Sequence, residues 1–334
     1  GRHSENFMYN PRPDTRTMLK AKPWKPQRSG VRKVLYAEDL KLRPGERVTW
    51  MWGNVGKWYW PGEKFAAPAF KFPADKQAKT AFPHWEPYKK TIKRGPHPGG
   101  RHEYYRYYGN AVFETQPPMT ERGLKDLGAT LTNVAQAHGG LGARDLKRAA
   151  TIEIPFALPY VIADSQVSGA AGPAPGGAVT IAYSIDDGKS WRQAARIRED
   201  GRFDLSIGKP NARKFPLGTV SGQYAYKLRL TLAPGKGPTT LSELKIVNTT
   251  MLNFYSRPHL ELGPNEITVK ADNGGALAGS PLSVTWRWLE DWTTERTFSR
   301  TVQRVPATFH ITVAGSKRPK MKSITLARPA RRPR

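Results

Sequence analysis

The 334-residue sequence contains no cysteine, which excludes disulfides, thiolate zinc sites and cysteine nucleophiles. A packed core must therefore supply the stability unaided. Long apolar runs are missing too: the longest extend only a few residues, against the roughly 20 needed to cross a bilayer as a helix. No membrane-spanning helix is expected. The seven histidines are scattered, with no His-Glu-x-x-His pair and no tight grouping with carboxylates. His84, His97 and His102 are the only set close enough in sequence to suggest convergence. No Gly-x-Ser-x-Gly elbow or dinucleotide fingerprint occurs, and Gly188-Lys189-Ser190 imitates a phosphate loop only superficially, since Tyr183 stands where its leading glycine belongs. No cofactor and no metal is implied. Acids are scarce beside bases, with 27 Asp plus Glu against 54 Lys plus Arg, a formal net charge of +27. A field of that sign attracts anions, and phosphate backbones, uronic or sulfated polysaccharides and acidic membranes all respond to it.

The length exceeds the roughly 100–150 residues typical of one domain, so two modules are expected. The chain opens on Gly1 without a charged n-region or an apolar h-region; the expectation is that any export signal has been removed or was never included. Residues 1–33 read as a basic extended arm, because Arg12–Lys33 is rich in Pro, Lys and Arg and includes Lys22-Pro23-Trp24-Lys25-Pro26. Residues 34–116 read as an aromatic-rich β module. Pro44-Gly45 makes a turn before Arg47-Val48-Thr49-Trp50-Met51-Trp52, the loop 53–57 carries Gly53 and Gly56, and Trp58-Tyr59-Trp60 is expected to return as the hairpin partner. Strand alternation puts Val48, Trp50 and Trp52 on one side and Trp58 and Trp60 together on the partner. Trp50, Trp52, Trp58 and Trp60 could offer indole faces to a sugar ring, or could be a local aromatic core.

Arg101-His102-Glu103-Tyr104-Tyr105-Arg106-Tyr107-Tyr108 interleaves cations with phenols, and alternation places His102, Tyr104 and Arg106 on one face. That mixture suits an acidic sugar or a nucleic acid. A Tyr and a His beside a charge-neutralising Arg would also suit proton abstraction next to a uronate carboxylate, as a polysaccharide lyase requires. The alternative is an aromatic strand with its charges in water.

Residues 117–150 are expected to be a connector with a short helix capped at Thr120 and broken at Gly139-Gly140. Residues 151–315 then alternate strongly: Ile152, Ile154, Phe156; Val179, Ile181, Tyr183; Tyr224, Tyr226, Leu228, Leu230, Leu232; Ile267, Val269; Leu282, Val284, Trp286, Trp288; Phe309, Ile311, Val313. Separators rich in Gly, Pro, Asn and Asp lie between these runs, the pattern of half-buried antiparallel strands in a sandwich. Trp286 and Trp288 are expected in its core. Residues 316–334, with no acid among many bases, read as a mobile basic tail. The expected fold is thus all-β: an antiparallel β-sandwich, Ig-like or jelly-roll-like, with a second aromatic-rich β module and irregular basic termini.

Ser184-Ile185-Asp186-Asp187-Gly188-Lys189-Ser190-Trp191 matches the Ser-x-Asp-x-Gly-x-x-Trp pattern of the Asp-box. In such a turn the Asp bonds backbone amides, the Gly accepts a left-handed conformation and the Trp folds back to pin the hairpin. Ser184, Asp186, Gly188 and Trp191 are therefore structural candidates, away from any chemistry. Sialidase propellers repeat this box, whereas a single copy without a propeller repeat stands here.

Leu42-Arg43-Pro44-Gly45-Glu46-Arg47 with its Trp-rich strand, Arg106-Tyr107-Tyr108-Gly109-Asn110-Ala111, Leu158-Pro159-Tyr160-Val161-Ile162 and the lone Asp-box together span about residues 34–315. This arrangement resembles the C-terminal, non-catalytic β-region of large exported bacterial proteins whose N-terminal part is transglutaminase-like or polysaccharide-degrading. The resemblance implies an extracytoplasmic location, periplasmic or secreted, and an accessory role in glycan or cell-envelope recognition. Transglutaminase activity does not carry over, because its cysteine is absent. The sequence displays no complete catalytic constellation, and the leading expectation is a non-catalytic carbohydrate-binding or other accessory protein for a polysaccharide or other polyanion. A carbohydrate-active enzyme, lyase or hydrolase, and a nucleic-acid-binding protein are the alternatives.

Overall fold

The computed structural model describes residues 32–34, 40–53, 55–57, 109–137, 139–210, 218–252, 257–271, 275–277 and 279–330. In chain order its elements begin with β1 (Arg32–Val34), β2 (Glu46–Met51), β3 (Gly109–Thr115), the short helix α1 (Glu121–Asp126), β4 (Thr130–Thr132), β5 (Val134–Ala137) and β6 (Gly140–Ala143). There follow β7 (Ala150–Ala157), β8 (Ile162–Gly172), β9 (Ala178–Ser184), β10 (Arg192–Ile197), β11 (Gly201–Ser206), β12 (Ala225–Ala233) and β13 (Thr240–Leu252). The last are β14 (Gly263–Val269), β15 (Gly275–Ala276), β16 (Leu282–Glu290), β17 (Thr294–Val302), β18 (Arg304–Val305), β19 (Ala307–Val313) and β20 (Lys320–Ala327).

The fold is all-β and antiparallel, with β1 alongside β14 as the one parallel pairing among the described residues. A large sheet runs in the order β11-β8-β13-β3-β2-β20-β16-β17, with the β5–β6 hairpin attached to β13. Two smaller sheets cover one face of it. The five-stranded sheet β10-β9-β12-β7-β4 packs over the β8–β13 end, enclosing Ile152, Ile154, Val167, Ile181, Leu228, Leu230 and Ile246. The three-stranded sheet β1-β14-β19 packs over the other end, where Val48, Trp50, Phe113, Trp286, Ile311 and Ile324 meet. Two sandwiches thus share one sheet, and strand period two explains their cores. In β16, Leu282, Val284, Trp286 and Trp288 are buried while Ser283, Thr285 and Arg287 face outward. Each fully buried Leu or Ile contributes roughly 1.5–3 kcal/mol.

The hairpin partner expected for β2 at Trp58–Trp60 lies outside the described residues, and β3 and β20 hydrogen-bond to the two sides of β2. Three expectations need correction. The basic tail at 316–334 is largely not a tail: β20 lies between β2 and β16, and its Met321 and Ile324 are core residues. The connector at 117–150 belongs to a core, since Leu124, Leu127, Val134 and Leu141 are buried in it. Its helix forms as expected, with the Thr120 side chain accepting from Gly123 N–H at 3.0 Å. Finally, the boundaries near 116 and 150 do not separate the cores. One core collects residues from 48–52, 111–113, 160 and 252–324, whereas the other lies within 124–246. Of the arm at 1–33, only Arg32 and Lys33 are among the described residues.

Candidate functional site

Trp50 and Trp52 do not form a sugar platform. They are 6% and 0% exposed, because β2 and the residue that follows it turn Val48, Trp50 and Trp52 into the core under the three-stranded sheet. Their polar ends are satisfied inside: Trp50 Nε1 donates to Tyr160 Oη at 3.0 Å and Trp52 Nε1 to His259 Nε2 at 3.2 Å. The Trp52 and His259 rings meet edge to face, 5.6 Å apart. The buried Arg257 guanidinium lies 5.1 Å from the Tyr160 ring and 5.7 Å from that of Trp50. These two tryptophans are therefore removed from the ligand-binding set. Trp58, Trp60, His102, Tyr104 and Arg106, and with them the lyase grouping and His84 and His97, lie outside the described residues.

The Ser184–Trp191 turn is closed by its own side chains. Ser184 Oγ donates to Asp186 Oδ1 at 2.7 Å and accepts from Gly188 N–H at 2.8 Å. Asp186 also accepts from Ser190 N–H at 2.9 Å and Ser190 Oγ at 2.5 Å, and the Ser190 bonds hold its carboxyl well below the usual range. Trp191 Nε1 donates to Gly188 O at 3.0 Å, and Arg229 stacks 3.6 Å from the indole centroid while pairing with Glu153 at 2.7 Å. Every one of these partners is internal to the five-stranded sheet and its turn.

Where β13 passes from one core to the other, it carries polar groups instead of apolar ones. Ser165, Tyr226 and Asn248 form a buried chain with both oxygen contacts at 2.9 Å, and burial drives the Tyr226 phenol up. On the opposite face of the sheet, Asp164 accepts from Lys57 Nζ and from Ser206 Oγ, each at 2.6 Å. Asn110 fastens the same segment by accepting from Val55 N–H at 2.7 Å and donating to Lys57 O at 2.9 Å. A shallow cleft of about 20 Å³, partly open to solvent, adjoins this seam and is lined by Leu42, Arg43, Glu46, Phe113, Phe156 and Asn248 among others. Its Arg43–Glu46 pair is saturated: Glu46 accepts from Arg43 N–H, Nε and Nη2, and Arg43 Nη1 donates to Leu127 O. These groups lock strands together.

Among the described residues one exposed aromatic stands apart, and alternation gives no sign of it. Trp292 is 43% exposed at the tip of the β16–β17 hairpin. Asp291 and Trp292 have φ of 47° and 70°, and Thr293 N–H closes the turn onto Glu290 O at 3.0 Å. The only sequence signal is Asp-Trp in a position where such a turn favours Asn-Gly.

Cations are distributed over the outer surface, including the sheet edges: Arg192 and Arg196 on β10, Arg202 on β11, and Arg296 and Arg300 on β17 are exposed. Many of the acids are engaged in ion pairs, including Glu153 with Arg229, Glu243 with Arg202, Glu261 with Arg318, Glu290 with Arg296 and Glu295 with Lys322.

Fold and surface together define an all-β protein of two sandwiches on a common sheet, with a basic exterior and, among the described residues, no helix long and apolar enough to cross a membrane. No family model and no curated protein matches the chain. Among solved structures, a protein described as secreted from Parabacteroides distasonis is similar at 10% identity with a TM-score of 0.19, over 65% of this chain and 93% of that one. A likeness that slight carries no argument about function.

Proposed function

We propose that the chain is a non-catalytic accessory protein of the bacterial cell exterior that recognises an anionic glycan or cell-envelope polymer. The observation that carries this reading is the charge: 54 basic against 27 acidic side chains. Many of the acids are consumed locally by ion pairs, so the field reaching solvent is that of the surplus cations. Arginine on edge strands discourages strand-to-strand aggregation and at the same time presents fork-shaped donors to carboxylate or sulfate groups. In this reading the Ser184–Trp191 turn is an Asp-box with a structural role, and the chain corresponds to the non-catalytic β-region of a larger exported system.

The test is binding of the purified chain to polygalacturonate, to neutral dextran and to duplex DNA, at low and physiological salt, with polymer length followed over time. Saturable binding to polygalacturonate that persists at physiological salt, without shortening, is the expected result. Equal binding to polygalacturonate and DNA that vanishes with salt would reduce the charge to a non-specific counterion effect and overturn the proposal. Shortening of the polymer would replace it with an enzyme.

A further inference from the structure

The Asp291–Trp292 turn places an exposed indole at a left-handed position that glycine would fill with less strain. Two successive left-handed residues without glycine are strained, the tryptophan more than the aspartate. A bulky side chain in that region is a marked outlier. A buried Trp could offset the cost through packing, but this one is 43% exposed.

The conformation persists because the loop between β19 and β20 clasps it. Asp291 Oδ1 accepts from Ser316 N–H and Lys317 N–H, both at 2.8 Å. Gly315 makes room for that carboxylate, since a Cβ there would stand 2.7 Å from Asp291 Oδ2. The adjoining Glu290 accepts from Ala314 N–H at 3.0 Å and pairs with Arg296 at 2.7 Å. The indole itself is aimed by its Nε1 bond to Arg318 O at 2.9 Å, while Arg318 is fixed by Glu261 at 2.8 Å. The result is an indole held in place before any ligand arrives, with the Lys317 ammonium 5.4 Å from its ring centroid.

We propose that Trp292 and Lys317 form the recognition point for an acidic sugar residue, the indole stacking on the pyranose and the ammonium meeting its carboxylate or sulfate. This rests on the glycan reading above and gives it a location. An indole offers a broad apolar face to the C–H side of a sugar ring at little entropic cost, since it has only two side-chain torsions and both are fixed here. The cation lies over one face of the ring and so favours an anionic substituent over a neutral sugar at this indole. A strained turn kept rigid by its neighbours is the means by which a small site avoids an ordering penalty on binding.

Four full-length proteins distinguish the possibilities: the wild type, Trp292→Gly, Trp292→Ala and Lys317→Ala, each measured for affinity to polygalacturonate, dextran and single-stranded oligo(dT), and for thermal midpoint. The Gly variant removes the indole while fitting the left-handed turn, so it should melt at or above the wild-type temperature and yet bind polygalacturonate at least tenfold more weakly. Trp292→Ala should lose the same affinity without the gain in stability. Lys317→Ala should weaken polygalacturonate binding several-fold and narrow its margin over dextran. If the wild type binds polygalacturonate and Trp292→Gly binds within twofold of it, this inference fails while the glycan reading stands. A wild type that binds no polygalacturonate overturns both. Loss of oligo(dT) binding alone in the Trp292 variants would assign the indole to base stacking and overturn the sugar assignment.

Discussion

Gly315 and Gly176 make a matched pair at the scale of single residues. Their φ angles are 95° and 81°, so both pay the same backbone penalty when a Cβ is added. They differ in surroundings: nothing lies within 4 Å of a Cβ at Gly176, whereas one at Gly315 would press into the Asp291 carboxylate that Ser316 and Lys317 hold. Gly176→Ala should therefore lose about 1 kcal/mol from backbone strain alone. Gly315→Ala should lose more, about 1–3 kcal/mol, because the carboxylate must also give up its amide donors. Urea denaturation of the two variants reads the difference. Equal losses would mean that the Asp291 clasp contributes nothing to stability. The same scale shows why the candidate site was only partly legible. Trp50 and Trp52 are separable from a surface platform only once Tyr160 and His259, distant in sequence, are placed beside them. Trp292, by contrast, is inconspicuous because its meaning comes from a φ angle and from a clasp supplied by residues 314–318.

At the scale of elements, alternation reveals strands that have one wet and one dry face and misses the rest. The runs at Ile152, Val179, Leu228, Leu282 and Phe309 became β7, β9, β12, β16 and β19. Strands β10, β11 and β17 escape the pattern because they are edges with little buried surface on either face. β8 escapes it because Ala163, Ser165, Ala170 and Ala171 are small rather than strongly apolar, which suits a strand with neighbours on both sides. β20 is the instructive failure. Its pairing shifts register between Arg287 and Trp288, so Met321 opposes Trp288 and Ile324 opposes Trp286. The bulge spaces two core residues three apart and breaks the period-two signal among surrounding lysines and arginines. A chain ending at Ser316 separates the two readings. If β20 completes the sheet, its removal exposes Trp50, Trp286 and Trp288 and strips hydrogen bonds from β2 and β16, so the truncated protein should lose its cooperative thermal transition in near-ultraviolet circular dichroism. A midpoint unchanged by the truncation would restore the tail.

For the molecule as a whole, acid is the direction in which stability should fail. Asp186, Asp187, Asp145, Glu290, Asp291 and Glu295 are all held below the usual carboxylate range, Asp186 by Ser190, Asp187 by Lys227, Asp145 by the Lys147 amide, Glu290 by Arg296, Asp291 by the Ser316 and Lys317 amides and Glu295 by Lys322. A carboxyl whose folded value is depressed contributes stability that is fully present above its unfolded value, about 4, and disappears as pH falls through the folded one. The unfolded chain binds more protons throughout that window, so stability must rise with pH across it. Protonation also removes negative charge from a protein already at +27, increasing self-repulsion in the compact state. The two causes respond differently to salt: repulsion between distant exposed charges is screened over roughly 10 Å at 0.1 M, while hydrogen bonds from backbone amides to Asp291 and from Ser190 to Asp186 are not. The urea midpoint should be nearly level from about pH 7 to 5 and fall steeply toward pH 2. Added salt should recover only part of the loss. Full recovery would assign the acid sensitivity to net charge alone and leave the bonded carboxylates without a measurable share, whereas a midpoint flat to pH 3 would show that neither cause operates.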